Sequence, residues 1–118
     1  MNKILVVDDD VEILNVVQIM LSMNNFTVET VSNWKDINNK MIEFQPDLVL
    51  LDVSLGGADG RQICKNLHQT HETKNIPVIL FSANPEMGTN LDEWLAQAFI
   101  PKPFQLSSLV KTINSHLN

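Results

Sequence analysis

Three carboxylates follow an aliphatic run in the segment KILVVDDD, at residues 8–10. Like charges this close repel, and placing them beside an apolar strand costs free energy unless a cation sits among them. Three more groups stand after similar runs: Asp52 in DLVLLDVSLGGADG, Ser82 in ILFSAN and Lys102 in FIPKPF. Hard oxygens with open positions suit Mg2+, which takes a few carboxylates and keeps water. With Asp8 and Asp9 on such an ion, Asp52 keeps an oxygen free to attack an electrophile. A phosphoryl group is the natural one, because Mg2+ and a lysine neutralise its equatorial oxygens as charge develops. The product of that attack is an acyl phosphate.

These groups converge only if the elements beneath them are parallel strands. Strand-like runs are predicted at residues 4–7, 26–31, 48–51, 78–81 and 98–100. The runs ILVV, LVLL and VILF are continuously apolar, as strands covered on both faces should be. The second run mixes in Thr and Glu and reads as an edge. Between the strands lie apolar residues at helical spacing: Ile13, Leu14, Val17 and Leu21, then Ile37, Met41 and Ile42, then Ile63 and Leu67. A last stripe joins Leu106, Leu109, Val110, Ile113 and Leu117, whereas residues 89–97 offer only Leu91, Trp94 and Leu95. Five strands alternating with five helices predict an α/β fold, a single doubly wound parallel sheet in one domain over residues 1–118. In such a sheet, ligands bind beyond the carboxyl ends of the strands.

Composition narrows the function classes. A formal net charge of −6 leaves no basic patch for a phosphate backbone, so direct nucleic-acid binding is not expected. The single cysteine, Cys64, excludes an internal disulfide, fits a reducing cytoplasm and reads as a small core residue. No signal peptide and no membrane-spanning run is expected. Asp10 and Asp59 read as helix caps. His68, His71 and His116 lack metal-ligand spacing and read as solvated surface.

The ordered set of an acidic pair, LLDVSL with a following DG, FSA and KPF resembles the response-regulator receiver domains of two-component signalling, similar in extent to the stand-alone chemotaxis regulator. That resemblance implies a flavodoxin-like sheet of order 2-1-3-4-5. It implies that Asp52 accepts a phosphoryl group from a histidine kinase or a histidine phosphotransfer protein. Mg2+ would be held by Asp8, Asp9 and Asp52 with the Ser54 carbonyl, and Lys102 would pair with the phosphoryl oxygens before a cis Lys102–Pro103 bond. Ser82 and Phe99 take the positions of the switch pair, Ser54 and Asn84 those that tune phosphoryl lifetime, and Ala83 keeps the entrance small. Partners would read the surface of helix four, strand five and helix five, through which two copies could also form a homodimer. No output domain is expected beyond the last helix.

Departures accompany the resemblance. Gly56–Gly57 replace a frequent Pro, LAQA replaces GADD before Phe99, and the span from Ser82 to Lys102 is slightly short. A short or reoriented fourth helix follows. The alternative reading is a Mg2+-dependent phosphohydrolase with an aspartyl nucleophile. Such an enzyme wants a second acid two residues after the nucleophile, where this chain has Ser54. A third is a binding module that is never phosphorylated.

Overall fold

The structure is a computed structural model that describes residues 2–117. Its strands are β1 Lys3–Val7, β2 Thr27–Val31, β3 Leu48–Asp52, β4 Val78–Ser82 and β5 Ala98–Pro101. The helices are α1 Val11–Ser22, α2 Ile37–Phe44, α3 Gly60–Gln69, α4 Leu91–Trp94 and α5 Leu106–His116. All neighbouring strands are parallel, and the order is β2-β1-β3-β4-β5. The expected topology is therefore present, with β2 at one edge and β5 at the other.

Side chains alternate across each strand, so one continuous apolar run feeds two cores. Ile4, Val6, Leu48, Leu50, Ile79 and Phe81 face Leu14, Val17 and Leu21 of α1 and Leu109 and Ile113 of α5. Leu5, Val7, Val49, Leu51, Val78 and Leu80 face Ile37 and Met41 of α2 and Cys64 and Leu67 of α3. Burial on both sides explains why these strands carry no polar alternation.

The caps follow from their residue types. Asp10 accepts from the N–H groups of Glu12 and Ile13 at the start of α1, and Asp59 accepts from that of Arg61 at the start of α3. Cys64 is fully buried, and burial pushes its thiol up to about 12. It is a core residue, as expected.

Three features differ from the sequence reading or sharpen it. Ile42 is 72% exposed instead of joining the α2 stripe. At roughly 100° per residue it lies about 140° around the helix from Ile37, outside the arc that Ile37 and Met41 share. His68 is half-buried, with Nδ1 3.0 Å from the Cys64 carbonyl oxygen and Nε2 2.9 Å from that of Ile76. It ties the last turn of α3 to the chain entering β4, so it is not solvated surface. The fourth helix is a single turn, preceded by a 3-10 turn at Pro85–Gly88.

Candidate functional site

Four strand ends meet on one rim. Asp8 directly follows β1, and its N–H donates to the Val31 carbonyl while its Oδ1 accepts from Asp10 N–H at 2.9 Å. Those bonds hold its carboxylate inward, at 1% exposure. Asp52 is the last residue of β3 and is 5% exposed. Asp9 is exposed beside them, and one oxygen from each of Asp8, Asp9 and Asp52 lies within 4.8 Å of the others. Lys102 follows β5 and donates from Nζ to Asp8 Oδ2 at 2.8 Å, with Asp52 Oδ2 at 3.5 Å. Its ammonium also lies 4.5 Å from the ring centroid of the buried Phe81.

The electrostatics follow from burial. Loss of solvent and then the Asp8 charge push the Asp52 carboxyl up to about 6, against the opposing pull of Lys102. A buried carboxylate so disfavoured gains from a further cation. The donor set fits Mg2+ on this ground: hard oxygens, close together, one of them solvent-facing and one held in its charged form only with difficulty.

Glycines shape the rim. Gly60 N–H donates to the Val53 carbonyl at 2.7 Å, and a Cβ on Gly60 would fall 2.0 Å from the Asp52 carbonyl oxygen. The start of α3 is therefore pressed onto the end of β3. Gly56 adopts φ 58°, and a Cβ there would sit 3.2 Å from Asp9 Oδ2. Ser54 N–H reaches Asp52 Oδ1 at 3.4 Å.

The positions expected from the sequence to switch and to tune phosphoryl lifetime are placed as follows. Ser82 ends β4, buried, and its Oγ accepts from Asn84 N–H at 3.1 Å. Asn84 is exposed, and its Oδ1 accepts from Glu86 N–H at 3.0 Å, so its side chain caps the 3-10 turn. Ala83 is exposed beside it. Phe99 is half-buried, its ring so near Gly88 that a Cβ there would approach Cδ2 at 2.5 Å. The Lys102–Pro103 bond is cis. Sequence reading missed Gly60, Gly88 and Phe81, whose roles come from close approach across the fold. The DG pair at 59–60 is the only local signal among them.

The model of the response regulator receiver domain matches residues 4–114. The chain belongs to that family. As a receiver it is 31% identical over 118 residues to the phosphate regulon transcriptional regulatory protein PhoB of Escherichia coli, covering 94% of this chain and 51% of PhoB. It is 37% identical over 122 residues to the transcriptional regulatory protein CpxR of Klebsiella pneumoniae, covering 99% of this chain and 50% of CpxR. The receiver thus spans about half the length of these curated relatives. Among solved structures, the response regulator TrrA of Thermotoga maritima in complex with Mg2+-BeF superposes with a TM-score of 0.89 at 26% identity, covering 99% of this chain and 100% of that one. The chemotaxis protein CheY4 of Vibrio cholerae gives 0.89 at 25% identity, covering 99% of both chains.

Proposed function

We propose that this receiver is the phosphoacceptor of a two-component relay, with Asp52 as the residue that takes the phosphoryl group. The observation that carries the reading is the pairing of a buried, strand-terminal carboxylate with Asp8, Asp9 and Lys102 at one rim. Asp52 Oδ attacks the phosphorus of a histidine phosphoramidate, the P–N bond breaks, and the imidazole leaves with the electron pair and takes a proton. Asp8, Asp9, Asp52 and the Ser54 carbonyl would hold Mg2+, which, when bound, offsets charge on the transferred group. Lys102 is already drawn between Asp8 and Asp52 and would turn its ammonium to a phosphoryl oxygen. Ser82, one strand over, would offer its hydroxyl to the same group, and Phe99 would follow it. Lifetime tuning is assigned to Ser54 and Asn84.

The readout is a population shift at the face of α4, β5 and α5. A histidine kinase or phosphotransfer protein supplies the phosphoryl group, and a downstream protein binds that face, in a cytoplasmic setting. No helix among the described residues is long and apolar enough to cross a membrane.

Intact-mass measurement after incubation with acetyl phosphate and Mg2+ tests the reading. The expected result is a gain of one phosphoryl group in the wild type and none in Asp52→Asn. Sustained release of phosphate from a phosphomonoester would instead favour the phosphohydrolase, and an unchanged mass the module that is never phosphorylated.

A further inference from the structure

Arg61 and Trp94 make a contact that the phosphoryl chemistry does not use. Arg61 lies in the first turn of α3, and its guanidinium forks onto Asp59, with Nε 3.1 Å from Oδ1 and a terminal nitrogen 2.8 Å from Oδ2. The same guanidinium lies 4.9 Å from the ring centroid of Trp94, the last residue of α4. A planar cation can fork onto a carboxylate at its edge while an aromatic ring stacks on its face. The fork holds the Asp59 carboxyl below its ordinary range.

Behind Asp59 there is little slack. Ser54 and Asp59 pair across the turn that leaves β3, and Leu55 N–H donates to the Ala58 carbonyl inside it. Ser54 N–H also reaches the Asp52 carboxylate, and Gly60 is pressed against the Asp52 carbonyl. Ahead of Arg61 the target is weakly held. No residue of α4 is fully buried, and Asn90 and Leu95, on either side, both sit in the left-handed region at φ 56° and 60°. That region suits asparagine but is unfavourable for leucine, so the end of the turn at Leu95 depends on anchors from outside itself. Leu91 and Ala96 supply apolar contact, and Arg61 supplies the polar one.

We propose that Asp59, Arg61 and Trp94 form a relay coupling the Asp52 site to α4, separate from the route through Ser82 and Phe99. The inference rests on the phosphoacceptor reading given above. When the β3–α3 turn adjusts to a phosphoryl group on Asp52, Asp59 moves with it, the fork turns the guanidinium, and Trp94 loses or changes its stacking partner. A single helical turn closed by a strained Leu95 can then repack, and that turn is the bistable element of the proposed coupling.

Trp94 emission in a Trp34→Phe background tests the relay, with Mg2+ and beryllofluoride as the phosphoryl mimic. The expected result is a change in emission on adding the mimic, and loss of that change when Arg61→Ala or Asp59→Asn is added. The Asp59→Asn change is the telling one, because Asn can still cap α3 and the substitution does not touch Trp94. Both variants should still gain one phosphoryl mass from acetyl phosphate. An undiminished Trp94 response in the Asp59→Asn protein would overturn the relay. A silent Trp94 in a protein that does gain the phosphoryl mass would overturn it too, while leaving the phosphoacceptor reading intact. No mass gain in the wild type would remove that reading and the relay together.

Discussion

Lys102 is the residue on which the rim's charge balance turns. Its side chain is 15% exposed, and its ammonium sits between two nearly buried carboxylates, of Asp8 and Asp52. Removing one partner of a buried ion pair leaves an uncompensated charge, which destabilises by about 3 kcal/mol. Lys102→Ala should therefore lower the unfolding free energy by that order in urea titrations with EDTA, and Mg2+ should restore much of it. Asp52 gives the pH dependence. A carboxyl whose native value, about 6, exceeds its ordinary 3.8 holds its proton more tightly when folded. Its contribution to stability is complete below about pH 4 and lost as pH rises through about 6. Mg2+ needs the ionised form, so calorimetric titration should show weaker uptake at about pH 5 than at about pH 7. The carboxylates and Lys102 were legible because each follows an apolar run, where a parallel sheet exposes its ligand edge. Phe81 beneath Lys102 was not, because the sequence places it inside a strand and only the pairing of β4 with β5 brings the two together.

At the scale of elements, the joint between β3 and α3 fixes the site more than either element alone. A Cβ on Gly60 would overlap the Asp52 carbonyl oxygen at 2.0 Å, and backbone cannot give way as a flexible side chain can. Gly60→Ala should destabilise by about 2–3 kcal/mol by denaturant unfolding, and should weaken Mg2+ uptake because α3 can retreat only by moving Asp52. The central strands were readable from their unbroken aliphatic runs, and α1, α3 and α5 from their stripes. The fourth helix was readable only as an irregularity. Its single turn leaves no periodicity to detect, and left-handed backbone at Asn90 and Leu95 has no composition signal when the residue is leucine. Ile42 misled for the opposite reason: it is apolar and adjacent to Met41, yet its angle on α2 turns it to solvent.

For the molecule as a whole, the doubly wound order 2-1-3-4-5 puts the carboxylate rim and the β5 edge, where the readout is proposed, in one sheet. β1 and β3 are neighbours and carry the carboxylates, and β4 and β5 continue outward with Ser82 and Lys102. The proposed readout at the β5 edge would then be reached through adjacent strands. The net charge of −6 favours cations at that rim over anionic polymers. Fold and family were legible together because the same strand ends that define the topology also carry the chemistry. The contact between Arg61 and Trp94 was not, since it joins residues of two helices that the sequence keeps apart. The most direct test of the central claim is reductive trapping. Borohydride reduces an aspartyl acyl phosphate to an alcohol, and peptide mapping then locates the altered side chain. After acetyl phosphate and Mg2+, it should appear at position 52 and nowhere else, and vanish when EDTA is present. Trapping at Asp8 or Asp9, or a phosphoryl group that resists borohydride, would contradict Asp52 as the acceptor.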